Sequence, residues 1–159
     1  MTDYPAPVQR VLADAAAKGV ALKIVTTQTT ARSAAEAAGA VGAEVGQIVK
    51  SLLFRGRDSG RPYLLLVSGA NRVNETAVAA NLGEALERPD ADFVRLHTGL
   101  AIGGVSPFGA PGAIPTWIDG DLLEFATIWA AAGTPFHVFS IAPQDLVRAT
   151  GGAVIDVKG

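Results

Sequence analysis

The hydrophobic pattern is most informative at Ile48-Val49-Lys50-Ser51-Leu52-Leu53-Phe54, a strand-like apolar run with one ammonium group in its middle. A strand sends alternate side chains to opposite faces. Ile48, Lys50, Leu52 and Phe54 therefore share one face, and Val49, Ser51 and Leu53 the other. Each face has one polar member. A buried Lys50 needs a partner, an anionic ligand or a cleft to offset its lost hydration. An edge-strand Lys50 would instead snorkel to water and discourage edge-to-edge pairing. The pattern alone admits both readings.

Around this strand the pattern predicts an irregular mixture of elements. Val8, Val11, Leu12 and Ala15 have helical spacing and are followed by Gly19; residues 21–25 read as a short strand, and Thr26-Thr27-Gln28-Thr29-Thr30 as a loop. Ser33 and Glu36 have the form of a capping box opening an alanine-rich helix that ends at Gly39 or Gly42. The glycines and proline of residues 56–62 suit a hairpin, and the continuous Leu64-Leu65-Leu66-Val67 run suits a central strand buried on both faces. Asn74 and Asp90 are candidate helix caps, with helices running to Leu82 and to about Thr98. Residues 114–118, 136–141 and 153–157 read as strands, residues 125–131 as strand or helix, and Pro143 opens a short helix ended by Gly151. Mixed hairpin and crossover-length connections predict one mixed α/β (α+β) domain over residues 1–159, a mixed and partly barrel-like sheet with helices around it.

Composition narrows the chemistry. Of 159 residues, 49% are hydrophobic, enough for an ample core. No apolar run approaches the roughly 20 residues that span a bilayer, and no basic-then-apolar signal opens the chain, so a cytoplasmic protein without a membrane partner is expected. The absence of cysteine removes thiolate nucleophiles and cysteine metal sites. Net charge is −2, unlike a strongly basic nucleic-acid binder. Residues 1–80 nevertheless carry nine Lys/Arg against six Asp/Glu, and residues 81–159 four against nine. Arg55, Arg57, Arg61 and Arg72 fall close together after the lysine strand, as a phosphate-facing patch or a solvated hairpin tip would.

The common catalytic motifs fail. Gly104-Val105-Ser106-Pro107-Phe108 departs from a nucleophile elbow at its fifth position, no phosphate-binding loop is present, and Asp119 and Asp121 lack the further ligands of a calcium loop. His97 and His137 belong to no metal-ligand motif and read as structural. No metal or other cofactor is expected. What remains is Lys50 and the stretch Gly103-Gly104-Val105-Ser106-Pro107-Phe108-Gly109. There glycine lets backbone approach a ligand, and proline restricts both itself and Ser106. A cation and fixed N–H groups can orient an ester and stabilise the oxyanion formed when water attacks it. One ammonium about 4 Å from that charge is worth roughly 4 kcal/mol at an effective dielectric near 20.

Three segments together resemble the YbaK/ProX family of aminoacyl-tRNA deacylases: Gln47-Ile48-Val49-Lys50-Ser51-Leu52, the 103–109 stretch, and Gly133-Thr134 followed by Ile141-Ala142-Pro143-Gln144-Asp145-Leu146. The resemblance spans most of the chain. It implies a fold like the editing domain of bacterial prolyl-tRNA synthetases and a metal-free esterase that clears mischarged tRNA in trans, commonly proline tRNA carrying a small wrong amino acid. It places Lys50 at the family's essential lysine. Gly103, Gly104, Val105, Ser106 and Pro107 fall on its Gly-x-x-x-Pro substrate loop, and Gly133 and Thr134 on a second loop near the pocket. The four arginines become candidates for tRNA contact, and a prolyl-tRNA synthetase or elongation factor becomes a candidate partner. Two other classes stay open: a non-catalytic module of the same fold that binds an aminoacyl group or a partner, and a general small-ester hydrolase.

Overall fold

A computed structural model describes residues 3–159. Its helices are α1 (Ala6–Ala17), α2 (Ala34–Val41), α3 (Glu75–Leu82), α4 (Ala91–Thr98) and α5 (Pro143–Thr150). Its strands are β1 (Lys23–Thr26), β2 (Ile48–Gly56), β3 (Pro62–Ser68), β4 (Leu86–Glu87), β5 (Thr116–Asp119), β6 (Ile128–Ala131), β7 (His137–Ile141) and β8 (Ala153–Ile155). The strands form one sheet in the order β1-β7-β6-β2-β3-β5-β8, with β4 added to β2. Antiparallel pairs (β1–β7, β6–β7, β2–β3, β2–β4) and parallel ones (β2–β6, β3–β5, β5–β8) make it a mixed sheet, the expected α/β class.

Local chemistry accounts for most helix ends. Ser33 Oγ accepts from the Glu36 N–H (3.1 Å), Asn74 Oδ1 from the Ala77 N–H (3.1 Å) and Asp90 Oδ1 from the Phe93 N–H (2.8 Å), each satisfying a donor the helix leaves free. At Ser33 the capping box is displaced by one residue: Glu36 Oε1 accepts from the Arg32 N–H at 3.0 Å. Gly42, Gly83, Gly99 and Gly151 close α2 to α5 in the left-handed conformation. β5 begins at Thr116 rather than Ile114, residues 125–131 form a strand only from Ile128, and β8 stops at Ile155. The two-residue β4 and the 3-10 turns at Val45–Gln47 and Gly120–Glu124 lie outside the predicted elements.

The hairpin of β2 and β3 is the frame on which the site is built. Their register sets Lys50 opposite Val67, Leu52 opposite Leu65 and Leu53 opposite Leu64. Tyr63 to Ser68 are all buried, as the unbroken apolar run predicts, and burial of Leu65, Leu66 and Val67 contributes about 1.5–3 kcal/mol each. The odd face of β2 joins the main core through Val49 and Leu53. On the even face, Ile48 packs with Ala37, Ala38 and Val138, while Phe54 packs with Tyr63, Leu65, Val67 and Val78. Lys50 lies between those two even-face clusters. Among the described residues no helix is long and apolar enough to cross a membrane.

Candidate functional site

A break in the sheet creates the site. On the side of β2 away from β3, β6 pairs only with Ile48 and Val49, and β4 only with Arg55 and Gly56. The segment between them has β3 on one side and no strand on the other. The Ile48 carbonyl accepts from the Gly69 N–H (2.7 Å) and the Gly56 N–H donates to the Arg61 carbonyl (2.8 Å), so even-numbered positions direct their main-chain groups to β3. By the alternation of an antiparallel ladder, the N–H and C=O of Ser51 and Leu53 face the gap.

A cleft of about 850 Å³ opens at this gap. Lys50, Ser51 and Leu52 line it from β2, Gly103 and Val105 from the loop after α4, and Trp129 from β6. Lys50 is half-buried, and its Nζ donates to the main-chain carbonyl of Asn71. Burial pushes the ammonium below its usual pKa, the Arg72 guanidinium adds to that, and the Asp119 carboxylate opposes it. An ammonium has three donors. One is used within the protein, and two are left for a ligand.

The 103–107 loop meets the cleft through part of its length. Gly103 and Val105 line it, and no hydrogen-bond partner of their N–H groups is found among the described residues. Gly104 is buried and donates its N–H to the Ala101 carbonyl at 3.0 Å. Ser106 is buried, its Oγ accepting from the Phe108 N–H at 3.3 Å, and Pro107 is buried beside it. Gly133 and Thr134 stand behind this loop and do not line the cleft. A Cβ on Gly104 would meet the Gly133 carbonyl oxygen at 2.4 Å, so the two loops touch backbone to backbone only because Gly104 has no side chain. Thr134 Oγ1 is occupied by His137 Nδ1 (2.6 Å) and the Phe136 N–H (3.1 Å). His137 is pushed below its usual pKa by burial and takes an edge contact from Tyr4, consistent with the structural role its sequence context gives it. His97 lies against Phe93 with the two rings tilted by 51°.

Of the arginine cluster, the structure brings only Arg72 to the cleft. Arg55 pairs with Glu87 (3.5 Å) and lies over Phe93, Arg61 lies over Tyr63, and Arg57 is exposed near the hairpin turn. Arg32 and Arg88, which carried no sequence motif, complete the basic lining with Arg72. Ser51 is the other residue that sequence reasoning passed over. Its Oγ is buried without a hydrogen-bond partner, the sole such side-chain atom among the described residues. A hydroxyl on a strand gives no sequence signal of that kind, because whether it is satisfied depends on which strand lies next to it.

The family model of the aminoacyl-tRNA editing domain matches residues 28–149, a span that contains every cleft residue named above. Among solved structures, a candidate trans-editing enzyme for prolyl tRNA synthetase superposes with a TM-score of 0.92 at 42% identity, covering 99% of both chains. The hypothetical protein APE2540 superposes with a TM-score of 0.85 at 29% identity, covering 93% of this chain and 98% of its own. In sequence, a candidate Cys-tRNA(Pro)/Cys-tRNA(Cys) deacylase, EbsC of Enterococcus faecalis, is 25% identical over 126 residues, covering 79% of this chain and 76% of that protein. A proline–tRNA ligase of Limosilactobacillus fermentum is 36% identical over 78 residues, which are 46% of this chain and 14% of the ligase.

Proposed function

Because the chain belongs to the aminoacyl-tRNA editing domain family, we propose that it is a trans-editing deacylase that hydrolyses the ester joining a wrong amino acid to tRNA, with proline tRNA as the carrier. The observation that carries this reading is the half-buried Lys50, its ammonium held by the Asn71 carbonyl, lining a cleft large enough for an aminoacyl group and the terminal nucleoside. Lys50 holds the tRNA terminus or the charge that develops at the ester, and the free N–H groups of Gly103 and Val105 orient the aminoacyl carbonyl. Water adds to that carbonyl, the ester C–O bond breaks, and the products are the free amino acid and tRNA with its terminal hydroxyl restored. The trans-editing and deacylase relatives and the proline–tRNA ligase support proline tRNA as the carrier and a prolyl-tRNA synthetase as the protein this chain would work beside; the cytoplasm, where aminoacyl-tRNA is made and used, is the compartment this reading implies.

Selectivity follows from an apolar cleft wall. Such a wall gains only about 1–3 kcal/mol per methylene, so neighbouring small amino acids should be accepted together. The test is deacylation of a panel of mischarged tRNAs by the purified protein. Turnover of one or more small aminoacyl groups on proline tRNA is expected, with loss of at least about a hundredfold in Lys50→Ala, the scale of one removed oxyanion donor. Unchanged turnover in Lys50→Ala removes the lysine from the mechanism. Binding without turnover across the panel makes the protein a recognition module, and equal turnover of simple esters makes it a general esterase.

A further inference from the structure

Lys50 is held by a residue whose own position is fixed from elsewhere. Asn71 sits in the turn after β3, and its carbonyl takes the Lys50 ammonium. Its side-chain amide donates to Asp119 Oδ2 and to Asp121 Oδ2, both at 2.8 Å. Asp119, at the end of β5, is only 1% exposed. Its Oδ2 also accepts from the Ser68 N–H (3.0 Å), and its Oδ1 from the Asp121 N–H (3.0 Å). The carboxylate therefore clamps the end of β3 and the turn beyond it. The turn has no slack on its other side, because a Cβ on Gly69 would lie 2.4 Å from the Val45 carbonyl oxygen.

We infer that Asp119 is a positioning residue for Lys50: by holding the Asn71 side chain and the end of β3, it fixes the carbonyl that seats the ammonium beside the cleft. This rests on the reading of Lys50 as the working group. A buried carboxylate costs desolvation unless its acceptor sites are filled and a cation lies within reach. Three N–H donors fill the sites of Asp119, and Lys50 and Lys158 are cations within its reach. The other charges around Lys50 do not substitute for it. Arg72 opposes protonation, and Arg32, Glu75 and Arg88 line the same cleft. Arg88 lies against Glu75 at 3.8 Å, and Asp121 is neutralised by Lys158 at 2.8 Å.

The lysines of the chain are Lys18, Lys23, Lys50 and Lys158, few enough for their ε-methylene NMR signals to be assigned and titrated. In Asp119→Asn the Lys50 pKa should fall below its wild-type value, since an opposite charge nearby has been removed. The Lys18 and Lys23 values should not move. Asn71→Ala keeps the carbonyl but loses both amide bonds, and should lower kcat/KM about tenfold with the protein still folded, the scale of one lost positioning hydrogen bond. The inference is overturned if Lys50 titrates as in wild type in folded Asp119→Asn, or, should that variant not fold, if Asn71→Ala has wild-type kcat/KM and Lys50 pKa. A fully active Lys50→Ala would overturn the catalytic reading, while the Lys50 titration would still decide what Asp119 does.

Discussion

At Ser51 stability and function are set against each other. A buried hydroxyl without a partner costs roughly 1–3 kcal/mol of desolvation that no hydrogen bond returns. Its neighbours on the same face, Val49 and Leu53, are ordinary core residues. If an aminoacyl-tRNA supplies the missing partner, Ser51→Ala should leave the free protein as stable as wild type or up to about 1 kcal/mol more stable, while kcat/KM falls about tenfold. Thermal unfolding and deacylation kinetics measured on the same preparation check both halves. A variant with wild-type kcat/KM would mean that the substrate does not use this hydroxyl. Lys50 differs in being legible from sequence, since an ammonium in an apolar strand must find a partner or a cleft. Sequence offered no means of choosing between that and an edge lysine, because the absence of a strand beside Ser51 and Leu53 depends on where β6 and β4 stop.

Among the elements, the hairpin of β2 and β3 must be held rigid if the gap is to keep its shape, and its turn is closed by a carboxylate from outside it. Glu84, just past α3, accepts from the N–H groups of Asp58 (3.0 Å) and Ser59 (2.9 Å), from the Ser59 hydroxyl (2.6 Å) and from the Tyr63 hydroxyl. Hydrogen bonds from Ser59 and Tyr63 hold its pKa down at about 2. Gly56 makes room for it, since a Cβ there would lie 2.4 Å from the carboxylate. A carboxyl group whose pKa is lower folded than unfolded stabilises the fold above its unfolded value, near 4.3, and that contribution is lost as pH falls through about 2. Glu84→Gln should therefore lower the thermal midpoint at pH 7, with the difference from wild type shrinking below pH 4 and vanishing near pH 2. A difference independent of pH would mean that the side chain acts by shape alone. The helices were readable because Ser33, Asn74 and Asp90 carry their instructions locally, within three residues of the N–H they cap. β4 was not, because two residues hold no period and Leu86 is a strand residue only through its pairing with Gly56. The positions of Gly133 and Thr134 behind the 103–107 loop were hidden for the same reason: glycine spacing signals close backbone approach, but not which backbone is approached.

For the whole molecule, the balance of charge sets how tightly tRNA can be held. The net charge is −2, and acidic groups at Asp119, Asp121 and Asp156 border a separate hollow with Lys158. The basic side chains of the cleft are Lys50, Arg32, Arg72 and Arg88. The hairpin arginines sit apart from them, with Arg55 already paired to Glu87. Two to three phosphate contacts on a single-stranded acceptor end predict a slope of roughly −1.4 to −2.1 for log affinity against log salt, since each contact contributes about −0.7. Affinity should accordingly be weak at physiological ionic strength. Binding of an uncleavable aminoacyl-tRNA analogue, followed across salt concentrations, separates the two groups of arginines. Arg72→Ala should make the slope shallower by about 0.7, one contact, whereas Arg57→Ala and Arg61→Ala should leave it unchanged. The reverse result would move the tRNA path onto the hairpin, with the acceptor arm crossing the β2–β3 turn before its end enters the cleft.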